Sequence, residues 1–194
     1  NWLKEHNVPV ACTASTGIAA THMNGTTIHS WSGIGIKDSL NSTYLQSLRS
    51  KQYLVRNIEK THILIIDEIS MLHKNQLEMI NQVLKYIRNT AKPFGGMQVV
   101  FAGDFFQLPP VSKEQELARD KFAFMSSAWV EAAPVVCYLT EQYRQTKNEL
   151  NVILNQIRSG EIDENAVQLL QETRYNEHTI EPTKLYSHNA DVDA

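Results

Sequence analysis

Four consecutive aliphatic residues, Ile63-Leu64-Ile65-Ile66, run straight into an acidic pair, Asp67-Glu68. Three of the four are β-branched, and no polar residue interrupts them. Such a short unbroken run reads as a strand covered on both faces, hence part of a mostly parallel sheet. Three further runs repeat the pattern: Val8 to Cys12, with Pro9 near its start, Gln98 to Ala102, and Val135 to Leu139. Helical spacing separates them. Leu77, Ile80, Leu84 and Ile87 share one helical face, as do Leu150, Ile153, Leu154 and Ile157, with Ser159-Gly160 as a stop. Asp163 is placed to cap a further helix that turns Ala166, Val167, Leu169 and Leu170 inward. This alternation predicts an α/β fold with helices on both faces of the sheet. Ligands of such folds bind beyond the carboxyl ends of the strands. The residues after each run therefore carry the functional reading.

Composition excludes several other classes. The chain has 194 residues, of which 42% are hydrophobic and 20% charged. That supports one ordinary core, or one domain plus part of a second, and excludes a disordered or coiled-coil chain. Two distant cysteines, Cys12 and Cys137, exclude a disulfide scaffold; both fall in predicted strands and read as buried thiols of an intracellular protein. No run approaches the ~18 apolar residues of a membrane span. Residues 1–110 carry 10 basic and 7 acidic groups, a net +3, and residues 111–194 carry 8 and 14, a net −6. The weakly basic part leaves a nucleic-acid partner open without requiring one. The histidines show no zinc-ligand spacing with the cysteines.

Each strand end offers a distinct chemistry. Asp67 is placed to serve a nucleotide's Mg²⁺, and Glu68 to orient or deprotonate an attacking water, the Walker B pattern; the pair also suits a plain strand-to-helix junction. After the third run, Gly103-Asp104-Phe105-Phe106-Gln107-Leu108-Pro109-Pro110 makes a sharp, stiff exit. Its Gln107 suits either a phosphate-sensing amide or a solvent-facing side chain. After the first run, Thr13-Ala14-Ser15-Thr16-Gly17 lets hydroxyls and backbone amides approach phosphates. Thr27, His29 and Trp31, within Gly25 to Trp31, suit a grip on a single strand, with hydroxyls on phosphates and rings under bases; Trp31 equally suits a core position. After the fourth run, Arg144 is either an arginine finger or a surface partner of Glu141 or Glu149.

Taken in order, six strings resemble one family: the Pif-one-type DNA helicases, the Pif/RecD-like branch of superfamily one (1B). They are Thr13-Ala-Ser-Thr-Gly-Ile-Ala-Ala20 (motif Ia), Gly25-Thr-Thr-Ile-His-Ser-Trp31 (motif Ib), Ile65-Ile-Asp-Glu-Ile-Ser-Met71 (motif II), Pro93-Phe-Gly-Gly96, Gly103-Asp-Phe-Phe-Gln-Leu-Pro-Pro-Val111 (motif III) and Leu139-Thr-Glu-Gln-Tyr-Arg-Gln145 (motif IV). The resemblance implies a RecA-like P-loop NTPase fold. It implies an ATP-driven motor moving 5′ to 3′ on single-stranded DNA and unwinding duplex, forked and G-quadruplex DNA. Asp67 would hold Mg²⁺, with Asp104 beside the nucleotide. Glu68 would be the catalytic base, and Gln107 and Arg144 would contact the γ-phosphate. Thr13, Ser15, Thr16, Gly17, Thr27, His29 and Trp31 would meet DNA.

The resemblance also implies a division of the chain. Residues 1–145 would form most of the first RecA-like motor domain, with 111–122 a short wedge insertion carrying Lys113, Arg119 and Lys121. Residues 146–194 would lead into the second. The phosphate loop Gly-x-x-x-x-Gly-Lys-Ser/Thr is not in the 194 residues, so the chain reads as a fragment lacking that loop and the later motifs V and VI, and inactive by itself. The expected protein is a monomer without a membrane partner. It would be cytoplasmic, at the nucleoid, in a bacterium, and nuclear or mitochondrial in a eukaryote. Two other readings remain: a RecD-like subunit of an exonuclease complex, and a metal-dependent nuclease built on Asp67, Glu68 and Asp104.

Overall fold

A computed structural model describes residues 2–111, 116–141, 143, 149–174, 179–181 and 183–186. The chain divides into two compact units, Asn1–Cys137 and Tyr138–Ala194. The first contains, in order, α1 (Trp2–Glu5), β1 (Val10–Ala14), α2 (Gly17–His22), β2 (Thr26–Thr27), α3 (Ile28–Ser32), α4 (Ser42–Arg49), α5 (Gln52–Lys60), β3 (Ile63–Asp67), α6 (Lys74–Ile87), β4 (Gln98–Phe101) and α7 (Ser127–Ala132). The second contains α8 (Glu149–Ser159) and α9 (Glu164–Thr173). Among the described residues no helix is long and apolar enough to cross a membrane.

The strands form one parallel sheet in the order β2-β1-β3-β4. Register places Ala11 beside Leu64, Thr13 beside Ile66, and Ile66 beside Phe101. Alternation then puts Ala11, Thr13, Leu64, Ile66, Val99 and Phe101 on one face. That face is closed: Leu64 and Ile66 are fully buried in one cluster with Leu77, Ile80, Leu84 and Ile87 of α6. The spacing of those four residues thus builds the helix and the face it predicts. On the opposite face Val10, Cys12, Ile63 and Ile65 are half-buried and Val100 is exposed, so the two faces are covered unequally among the described residues. β1 begins two residues later than the apolar run suggests, since Pro9 has no N–H for the ladder. The two-residue β2 is all threonine and carries no apolar signal.

The string Pro93-Phe-Gly-Gly96 is a plug in this core. Phe94 is buried in a left-handed conformation (φ 49°, ψ 34°), and its N–H donates to Oδ1 of the buried Asn81 at 2.7 Å. Gly95 follows at φ 66°, where a Cβ would stand 2.8 Å from the Leu84 carbonyl oxygen. Only glycine fits there without strain. Phe94 packs edge-on against Phe101 (centroids 5.8 Å apart), and Phe101 stacks on Trp129 of α7 (4.7 Å), which ties the plug to β4.

One expected strand is absent. Val135 to Leu139 forms no strand, and its Val135, Tyr138 and Leu139 are exposed. Its apolar composition signals a need for burial, but no described strand pairs with it. Cys137 is exposed as a result, while Cys12 in β1 is half-buried. In the second unit α8 ends at Ser159 as its stop signal predicts, but of Leu150, Ile153, Leu154 and Ile157 only Ile153 is buried. Asp163 caps α9, its Oδ1 accepting from the Ala166 N–H at 2.7 Å.

Candidate active site

Parallel register brings three loops to one edge of the sheet. Ala14 lies beside Asp67, and Ile66 beside Phe101, so β1, β3 and β4 end together. The loop after β1 is stitched to the acidic pair. The Ser15 N–H donates to the Asp67 carbonyl at 3.1 Å, and the Ser15 hydroxyl donates to the Glu68 carbonyl at 2.8 Å. Two residues earlier, the fully buried Thr13 donates its hydroxyl to the Ile65 carbonyl at 2.6 Å.

Glu68 is the conformational exception. It sits in the left-handed region (φ 53°, ψ 44°), which costs a non-glycine residue on the order of 1 kcal/mol. Its surroundings hold it there. The Glu68 N–H donates to Asp67 Oδ1 at 2.9 Å, and the Glu68 carbonyl accepts from Ser15 and, at 3.1 Å, from the Met71 N–H. The kink turns the chain out of β3 at once, so the two carboxylates leave the strand with different backbone directions. Strain of this kind persists where neighbouring contacts over-determine it, as at reactive sites.

The loop after β4 is joined to the same turn. The Ile69 N–H donates to the Ala102 carbonyl at 3.0 Å, and the Ala102 N–H donates to the Ile66 carbonyl at 3.0 Å. At Gly103 a Cβ would stand 2.9 Å from the Ile69 nitrogen, so the close approach of the two loops requires glycine. Asp104 then organises its own turn: Oδ1 accepts from the Phe106 N–H and Oδ2 from Gln107 Nε2, each at 3.1 Å. Gln107 is exposed, held at the turn by that bond and by its N–H on the Asp104 carbonyl at 3.0 Å. Phe105, between them, points into an aromatic cluster with Phe122, Phe124 and Trp129.

The remaining candidates lie on α2, α3 and beyond. The Thr16 hydroxyl caps α2, accepting from Ala19 N–H at 3.3 Å, and Gly17 is exposed with open space where a side chain would be. The Thr27 hydroxyl caps α3 in the same way, accepting from Ser30 N–H at 3.3 Å. His29 is half-buried on α3, and its carbonyl accepts from Gly35 N–H at 3.1 Å. Trp31 packs against the core. Arg144 lies outside the described residues.

The donor set suits a nucleotide-bound Mg²⁺. Such an ion takes one or two protein carboxylates and fills its other positions with phosphate and water. Asp67 is half-buried at a strand end, and among the described residues its carboxylate meets only the Glu68 N–H. An all-protein metal cage is a different arrangement, and no group of three His, Cys, Asp or Glu residues gathers among the described residues. With the Asp104 carboxylate committed to its own turn, the geometry lends the nuclease reading no support.

Comparison with known proteins decides the family. The pattern described as PIF1-like helicase matches residues 1–168. The chain belongs to the PIF1-like helicase family. An ATP-dependent DNA helicase Pif1 of Psychrobacter sp. (strain PRwf-1) is 55% identical over all of this chain, which spans about 30% of that relative's length. The crystal structure of Pif1 helicase from Candida albicans superposes with a TM-score of 0.85 at 33% identity, covering 99% of this chain and 44% of that one. The crystal structure of Pif1 helicase from Bacteroides in complex with ADP-AlF3 and ssDNA gives 0.77 at 30% identity, covering 95% of this chain and 45% of that one. The sheet described above is accordingly the RecA-like sheet of a PIF1-like helicase.

Within this PIF1-like fold, Ser15, Asp67 and Glu68 are joined by direct hydrogen bonds, and Asp104 and Gln107 reach them through the Ala102–Ile69 bond. Thr13 departs from its expected DNA contact: it is fully buried and its hydroxyl is occupied, so its side chain braces β1 against β3 instead. The left-handed backbone of Glu68 and the double role of Ser15 emerge only in the folded structure. Neither has a sequence signal, since a glutamate does not advertise a positive φ and a serine after a strand has many uses.

Proposed function

We propose that the intact protein is an ATP-dependent helicase that moves 5′ to 3′ on single-stranded DNA and opens duplex, forked and G-quadruplex structures in replication, repair, recombination or telomere maintenance. The observation that carries this reading is the fixed, left-handed Glu68 beside Asp67, stitched to the loop after β1. Mg²⁺, held by Asp67 when the nucleotide binds, would neutralise developing phosphate charge. Glu68 accepts a proton from the attacking water. The Gln107 amide, tethered to Asp104, senses the terminal phosphate, and Arg144 reaches it from motif IV. Ser15, Thr16, Gly17, Thr27 and His29 grip the DNA strand.

In the same reading residues 1–145 belong to the first motor domain, 111–122 form its wedge, and 146–194 lead into the second domain. The Bacteroides complex with ADP-AlF3 and ssDNA supports the pairing of a nucleotide with single-stranded DNA on this fold. The test is a strand-displacement assay on the intact protein. Forks with a 5′ single-stranded tail should open in the presence of ATP and Mg²⁺. Equal opening of 3′-tailed forks, or none at all, would refute the assigned activity.

A further inference from the structure

Beyond the acidic pair, the chain runs along a short stiff arm to a second set of contacts. Met71 N–H bonds the Glu68 carbonyl, Leu72 N–H bonds the Ile69 carbonyl, and Ile69, Ser70 and Leu72 are buried. The arm ends at His73, the N-cap of α6, in a capping box with Gln76. His73 Nδ1 accepts from the Asn75 N–H at 3.2 Å, which places the ring proton on Nε2. That nitrogen lies 2.8 Å from Glu116 Oε2, and Lys74 Nζ lies 3.5 Å from Glu116 Oε1. The hydrogen bond from His73 is the largest influence holding the Glu116 carboxyl below its usual range. His73 also makes an antiparallel backbone bridge to Phe122. It therefore holds the stretch from Glu116 to Phe122 at its two ends.

The circuit closes through the aromatic cluster. The Phe122 ring meets Phe105 edge-on (5.6 Å), and Phe105 lies next to Asp104 and two residues before Gln107. One path thus runs from Glu68 to His73, across to Glu116 and Phe122, and back through Phe105 to Gln107. Within this path the His73 ring spends both nitrogens, one on the helix cap and one on Glu116. A cap alone needs only a short oxygen-bearing side chain such as Ser, Thr, Asp or Asn. The second nitrogen is what a histidine adds.

We propose that His73 is a positioning residue that clasps the stretch from Glu116 to Phe122, through Glu116, to the arm leaving the nucleotide-side carboxylates. The clasp makes the segment follow changes at Glu68 and Gln107, so each hydrolysis step advances DNA opening. This inference rests on the helicase reading above.

The test uses the intact protein and compares single-stranded-DNA-stimulated ATP turnover with base pairs opened per ATP on a 5′-tailed fork. Glu116→Ala removes the acceptor and leaves the cap of α6 in place. Its turnover and KM for ATP should stay within about twofold of wild type, because the variant touches no reacting group. Base pairs opened per ATP should fall by roughly fivefold or more, as expected for loss of a charge-assisted contact. Glu116→Gln, whose amide oxygen still accepts from Nε2, should restore most of that ratio, and His73→Asn, which keeps a capping oxygen, should behave like Glu116→Ala. An unchanged ratio in Glu116→Ala, or a parallel fall of turnover and unwinding, would overturn the clasp. A wild-type protein that opens no fork would overturn the helicase reading and the clasp with it.

Discussion

Glu68 holds a backbone conformation that its own side chain disfavours, and three hydrogen bonds keep it there. Stability and chemistry should therefore separate at this position. Glu68→Gly removes a left-handed penalty of about 1 kcal/mol, so thermal unfolding should stay level or move upward while ATP turnover of the intact protein is lost. A melting temperature several degrees lower would show that the side chain supports the fold. Much of this site was legible at the residue scale. Two carboxylates after an unbroken aliphatic run mark a strand end, and parallel strands bring such ends together. A small hydroxyl residue such as Thr13 serves equally as a phosphate contact or as a buried brace. Only the register with Ile65 and Ile66 decides between them.

Among the elements, β1, β3, β4, α6, α8 and α9 stand where an apolar run or a helical spacing marks them, while the short α2 to α5 and the two-residue β2 carry no such mark. α6 shows its buried face in the spacing of Leu77, Ile80, Leu84 and Ile87. The Val135 to Leu139 run signals a need for burial, but a strand is a relation between two segments, and no described strand pairs with this one. The plug at Pro93 to Gly96 was visible as a motif and not as a structure, because a left-handed Phe94 contradicts ordinary propensity. Gly95→Ala should destabilise the first unit by about 2 kcal/mol, through a positive φ and a clash with the Leu84 carbonyl; denaturant titration would measure it. In the second unit, the Ala166 N–H, then the Gln156 amide, hold the Asp163 carboxyl below its usual range. A depressed pKa means the charged cap contributes fully above the ordinary carboxylate range and is lost as pH falls through the lowered value. α9 helicity by circular dichroism should follow that course, and Asp163→Asn, a neutral cap, should flatten it.

At the scale of the whole molecule, the chain covers about 30% of the length of the Psychrobacter relative. Its charge of −3 describes these 194 residues and says little about a DNA partner. The strand ends present the two carboxylates and the Gln107 amide, but the sequence holds no Gly-x-x-x-x-Gly-Lys-Ser/Thr cradle. The isolated 194 residues should accordingly show no DNA-stimulated ATP turnover, a point that a coupled phosphate-release assay settles. The central claim, that Glu68 is the base of an ATP-hydrolysing site, is tested most directly by Glu68→Gln in the intact protein. Nucleotide affinity, read by a fluorescent ATP analogue, should stay near the wild-type value, while turnover on single-stranded DNA falls by roughly 10²–10⁴-fold, the usual contribution of a positioned base. Turnover equal to wild type would contradict it.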